Sequence, residues 1–233
     1  MYAATVEGRP LTFEVAAFWR RNMVMRDRET SGIWQQATGE CLAGPLRGRH
    51  LEPLGGVHST WSAWHAEHPD ALVAMEPAHA PKGLAHLLPT MAIWAWLEHV
   101  PFTLPGRAAS DPRLAAHEEV AGISLAGAAR AYPLSGLRRQ GVINDVLSGI
   151  PIAVAYDPRG DRVRAFHRRI GSAEVSLVAE DATLTESEGA RRWRPNGEPV
   201  GGGEHLKAIP ITRQFWLAWS EFHPGTSVYG ASE

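Results

Sequence analysis

From residue 10 to residue 17 the apolar side chains Leu11, Phe13 and Val15 alternate with other residues. That two-residue period predicts a strand with one buried face. Residues 22–25 and Ile33, Trp34 and Gln35 predict two further short strands, separated by polar turns at 27–32 and 38–40. Residues 46–50 read as a hairpin or loop leading into Leu51. Short strands with Gly-containing and polar turns between them predict a β-rich unit. At Thr60 the period changes. Trp61, Trp64 and His68 fall at i, i+3 and i+7, one face of a helix. The hydroxyl of Ser59 or Thr60 can cap its first turn, and Pro69, which lacks an N–H, ends it. Leu72, Val73 and Ala74 predict a closing strand.

Prolines then punctuate residues 76–115, which read as a connector. It carries one helix at 90–99, with Met91, Trp94 and Leu97 or Glu98 turned inward. Beyond it, residues 120–134 read as a hairpin with a Gly-containing turn, and 150–156 as an apolar strand. Asp157-Pro158-Arg159-Gly160 is a turn, since Pro presets φ and Gly accepts a positive φ. Residues 162–167 alternate, with Val163, Ala165 and His167 on one side, and Val175, Ser176 and Leu177 form another strand.

The chain repeats itself. Trp61, Ala63, Trp64, His68 and Pro69 are matched by Trp216, Ala218, Trp219, His223 and Pro224. Upstream, the stretch from Asp27 to Trp34 lies against that from Thr185 to Trp193. Gly39 and Glu40 lie against Gly197 and Glu198, and Leu51 against Leu206. A repeat of this length predicts a duplicated structural unit. The expected fold is therefore β-rich α+β: a tandem repeat of a short-stranded antiparallel unit, each copy closed by one Trp-faced helix. The expected units are 1–75, lacking its opening segment, and 116–233, complete, with 76–115 between them. The first unit would borrow strands from the second so that the two make one body. A residue kept in both copies serves the architecture, whereas a residue kept in one copy is freer to carry chemistry.

Composition narrows the function classes. The chain has 233 residues and a formal net charge of −2, and its basic residues occur as scattered pairs such as Arg20 and Arg21. No basic face for nucleic acid is predicted. A single cysteine excludes an intramolecular disulfide and a multi-thiolate zinc site. The most apolar stretch, Met91 to Leu97, is far short of the ~20 residues that cross a bilayer. The residues after Met1 do not read as a signal peptide, so a cytoplasmic protein is expected, or an exported one if the start lies upstream.

Three groups of residues resemble a bacterial domain-of-unknown-function family, number three-one-seven-nine. They are Ala129-Arg130-Ala131-Tyr132-Pro133-Leu134, Val142-Ile143-Asn144-Asp145 and the strand at 149–156. The segments at 22–30 and 38–46 and the two Trp-Trp-His-Pro helices carry it too, so that the resemblance covers most of the chain outside the connector. It implies two copies of one unit and no particular activity. Family members begin each unit with the Ala-Arg-Ala-Tyr-Pro segment, which this chain has only in the second. A Cys-Pro-Leu-Cys string usual in the first unit is absent, and Asp157-Pro158-Arg159 stands in its place in the second. Either Met1 is a late start or the chain is a shortened member.

Candidate chemistry is sparse. His68 and His223, on the repeated helices, with Asp27 or Asp145, could supply an acid–base pair between the units. Repetition favours architecture for the histidines, and Asp27, Glu29, Asn144 and Asp145 have turn capping as their commoner role. His65 and His68 share a helix face, but Ser220 replaces His65 in the second copy. Cys41 aligns with Pro199, so the fold needs no thiol there. The glycines at 55–56 and 201–203 lack the Lys-Ser or Lys-Thr of a phosphate loop. No cofactor or metal is implied. The leading expectation is a non-catalytic or small-ligand-binding repeat module, its partner a small molecule. The alternatives are a His/Asp enzyme and a metal or redox protein that has lost its thiol motif.

Overall fold

The computed structural model describes residues 1–19, 22–54, 56–73, 111–180 and 183–231. The helix expected at 90–99 lies outside them. In the N-terminal part, β1 (Thr5–Val6) and β2 (Arg9–Pro10) pair as a short hairpin. Four strands follow, β3 (Phe13–Trp19), β4 (Asn22–Asp27), β5 (Ile33–Gln35) and β6 (Cys41–Ala43), forming an antiparallel sheet in chain order. Their alternation places Trp34 and Cys41 in a small core with Val6, Leu11 and Leu51, and Phe13 sets its ring edge-on to Trp34 at 6.0 Å.

Helix α1 (Trp61–Glu67) forms where the Trp period predicts it, and Thr60 Oγ1 accepts from the Ala63 amide at 3.4 Å. None of its residues is buried. The strand expected at Leu72 and Val73 does not form. Leu72 is 97% exposed, and a run of three apolar residues says nothing about whether a partner strand exists.

The C-terminal part opens with a hairpin of β7 (Glu119–Leu125) and β8 (Ala128–Pro133). Its turn residues Ala126 and Gly127 both take positive φ, as a two-residue hairpin requires. Helix α2 (Leu134–Gln140) was not expected. Its signals were short: Leu134 and Leu137 one turn apart, both buried, Pro133 before it, and Gly141 at φ 72 after it. Strands β9 (Val142–Leu147), β10 (Ile150–Asp157) and β11 (Arg162–His167) then form a sheet completed by β17 (Ala208–Ile209). A hairpin, β12 (Arg169–Ile170) with β13 (Ala173–Glu174), leads to a meander of β14 (Leu177–Glu180), β15 (Thr183–Glu186) and β16 (Arg192–Trp193). The chain ends with β18 (Thr212–Phe215), α3 (Trp216–Phe222) and β19 (Ser227–Val228), where β19 runs parallel to β8.

The two Trp helices differ in depth. α3 buries Trp216 and Trp219 against Val120 and Ala131, and the Trp219 ring lies on Gly122, where a Cβ would run into it. On α1, Trp61 is 52% exposed. Their C-termini are alike: the backbone N–H of His68 bonds to Trp64 O at 2.9 Å, and that of His223 to Trp219 O at 3.0 Å. Each His ring stacks on that Trp, at 4.1 and 3.9 Å.

Both faces of β11 are covered, and the second face carries the site. Val163 and Ala165 do face a core, with Ile152 and Val154. The opposite side is covered too: Phe166 packs there with Ala153, Ala155, Leu177, Leu184 and Trp193. Arg162 and Arg164 are in register with Asp157 and Ala155 of β10 on that covered side.

Candidate functional site

The four residues singled out as an acid–base set do not meet. No hydrogen bond or ion pair joins any two of them among the described residues. Asp27 is fully buried and accepts from Trp34 Nε1 at 2.7 Å and Thr30 Oγ1 at 2.9 Å. Burial pushes its pKa up, but the bonds from Trp34, Thr30 and Gly32 overcome that and hold it below the usual value. Asp145 accepts from Arg130 Nη1 at 2.7–2.8 Å and from the Tyr132 hydroxyl at 2.6 Å. Burial first, and then the Asp145 carboxylate, raise the Tyr132 pKa. His223 is desolvated, which lowers its pKa. Cys41 is buried, its Sγ lying 3.2 Å from Ala43 O, and burial raises its pKa. Among the described residues no group of three or more His, Cys, Asp or Glu is arranged to hold a metal ion.

A different constellation forms at the covered end of β10 and β11. Arg162, 2% exposed, donates from Nε to Asp157 Oδ2 at 2.9 Å. Its other two nitrogens engage Glu67 of α1, Nη1 reaching Oε2 at 2.6 Å. The Thr60 amide, at the start of α1, also bonds to Gly160 O at 3.2 Å, so the helix is pinned to the turn between β10 and β11 at two points. Two carboxylates thus converge on Arg162. Arg164 has none. Its Nη1 is shielded from solvent with no hydrogen-bond partner, the one such buried side-chain atom among the described residues. Burial, and next the Arg162 cation, lower the Arg164 pKa from the ordinary arginine value. A buried donor without a partner costs stability, and each one in a folded protein calls for a reason.

Beside Arg164 lies a cleft of about 230 Å³. Its walls include Ala155, Leu184 and Pro195, together with Arg138, Tyr156 and Arg159. Arg138 is already engaged, by Asp161 at 3.1 Å and Glu119 at 3.6 Å. Asp161 is pushed up by burial, but hydrogen bonds from Tyr156, Arg213 and Arg138 bring its pKa down to about 2. The cleft is smaller than the ~300–1,000 Å³ of drug-sized sites. Chemically it offers a cation in need of an acceptor, set in partly apolar walls.

Sequence reasoning missed this site because the alternation at 162–167 was read only for the side of Val163, Ala165 and His167. The available signal was Arg162 and Arg164 flanking Val163 and just ahead of Phe166, a residue too large and apolar for that face to be open.

The pattern of the family described as "Protein of unknown function (DUF3179)" matches residues 1–226. No curated protein and no solved structure matches the chain. The chain belongs to that family.

Proposed function

We propose that this member of the family is a non-catalytic module of two copies of one unit that binds a small ligand in the cleft at Arg164. The observation that carries this reading is Arg164, which lines that cleft while its buried Nη1 has no hydrogen-bond partner among the described residues. A bound acceptor is the partner it lacks.

The two-copy reading, with units 1–75 and 116–233 joined by 76–115, draws support from matched hydrogen bonds. Leu51 N bonds to Gly39 O at 2.9 Å, and Leu206 N to Gly197 O at 3.0 Å. Asp27 N bonds to Gly32 O and Glu186 N to Arg191 O, both at 3.0 Å, with Trp34 and Trp193 each seven residues after the first donor. Cys41 opposes Trp34, as Pro199 opposes Trp193. Within this reading His68 and His223 close their helices, and Asp27 and Asp145 tie down buried polar groups. The residues that differ between the copies do the binding.

A thermal-shift screen of small organic acids, amides and alcohols tests the reading, run on the natural chain and on Arg164→Met. The expected result is a midpoint increase that the substitution abolishes, since a ligand that binds only the folded state stabilises it by mass action. Shifts that are equal in both proteins, or absent from both, overturn it.

A further inference from the structure

We infer that the ligand taken by the cleft is a small organic monocarboxylate, its carboxylate on Arg164 and its apolar body against Ala155, Leu184 and Pro195. This deepens the proposed function and rests on it.

Three observations select the class. First, acceptors are unevenly shared. Asp157 and Glu67 both converge on Arg162, and Arg138 is engaged by Asp161 and Glu119, whereas Arg164 has no carboxylate partner among the described residues. A guanidinium is a planar fork whose geometry matches a carboxylate, and charge-assisted bonds of this kind are the strong ones. Second, the charge available is small. Asp157 and Glu180 line the same cleft with Arg138, Arg159, Arg162 and Arg164; Arg162 and Arg138 already meet carboxylates, so a monoanion on the Arg164 fork is answered without bringing a second negative charge against Asp157 and Glu180. Third, part of the lining is apolar: Ala155, Leu184, Pro158, Ala179 and Pro195. A bare hydrated ion gains nothing from such walls, but a short hydrocarbon or aryl body does, at roughly 25 cal/mol per Å² removed from water. The volume of about 230 Å³ holds on the order of eight water-sized groups at ~30 Å³ each, which limits the body to a short chain or a single ring.

The placement gives the cleft a neighbour on the first unit. Glu67 reaches Arg162 from α1, two residues along β11 from Arg164 and on the same face. That carboxylate keeps Arg162 engaged, so the incoming carboxylate is left to Arg164, which has no carboxylate among the described residues.

The test is isothermal titration of the full chain with sodium benzoate, benzamide and inorganic phosphate, each to millimolar concentration. Arg164→Met and Arg164→Lys are run alongside, their folding checked by Trp fluorescence and circular dichroism. Expected is saturable benzoate binding, at least about tenfold tighter than benzamide or phosphate. It is lost in Arg164→Met and weakened about tenfold in Arg164→Lys, which keeps the charge but not the fork. If Arg164→Met fails to fold, Arg164→Lys carries the comparison. Benzamide equal to benzoate, or phosphate binding in its place, with either lost in the Arg164 variants, overturns the monocarboxylate and leaves the cleft as the site. Benzoate binding unchanged by both substitutions, or no binding by any of the three, overturns the site as well.

Discussion

Glu67 on α1 and Arg162 on β11 lie 95 residues apart in the chain and are joined at 2.6 Å between Oε2 and Nη1. The pair is asymmetric: the Arg162 side chain is 2% exposed and that of Glu67 is 40% exposed. Removing the outer partner leaves Arg162 bonded to Asp157, whereas removing Asp157 strips its buried partner. Glu67→Ala is therefore expected to cost only about 0.5–1 kcal/mol in urea unfolding, as solvent-screened pairs do. Asp157→Ala is expected to cost about 3 kcal/mol or more. Equal costs would show that α1 holds Arg162 as firmly as its own sheet does.

Asp27 and Asp145 are expected to behave as structural anchors. Asp27→Ala leaves Trp34 Nε1 and Thr30 Oγ1 without an acceptor, and Asp145→Ala takes the carboxylate from Arg130, which keeps Ser227 Oγ, and leaves the Tyr132 hydroxyl without an acceptor. Each is expected to lower stability by about 2–4 kcal/mol in urea unfolding. Under conditions where the variants remain folded, benzoate affinity measured by titration should hold within about twofold. A variant as stable as the natural chain but unable to bind would move these aspartates into the site.

Gly122 tests the depth of α3. The Trp219 ring occupies the space of its missing side chain, so Gly122→Ala forces the helix outward. The expected cost is about 2–3 kcal/mol, together with a red shift of Trp emission. An unchanged unfolding midpoint would contradict this packing.

Asp161 predicts an acid limb. Its folded pKa of about 2 lies below the ordinary 3.8, so its stabilising effect is complete above about pH 4 and is lost as the pH falls toward 2. Thermal midpoints of the natural chain and of Asp161→Asn, followed from pH 5 to pH 2, should differ most at the upper end and converge at the lower. A difference that grows on acidification would reverse the assignment.

Much of the architecture was legible because it rests on short-range rules. Alternation gave the strand around Phe13, flanking polar turns the one at Trp34 and an apolar run the one around Ile152; Thr60 capped α1, and the Pro158–Gly160 turn fell where it was read. α2 escaped because seven residues that include Gly136 leave no periodic signal beyond Leu134 and Leu137. Leu72 and Val73 misled because strand formation depends on a partner elsewhere in the chain. The cleft was illegible for the same reason. Whether Arg162 and Arg164 face water or a second layer is decided by the meander of β14, β15 and β16, and alternation along β11 carries no information about what covers it.

The decisive measurement is a crystal structure of the full chain soaked with 4-bromobenzoate, with bromine located by anomalous scattering. A carboxylate within hydrogen-bond distance of the Arg164 guanidinium, with bromine directed along the wall of Ala155, Leu184 and Pro195, is the expected result. Bromine bound elsewhere, with Arg164 paired instead to a carboxylate of the protein such as Glu180, would contradict it.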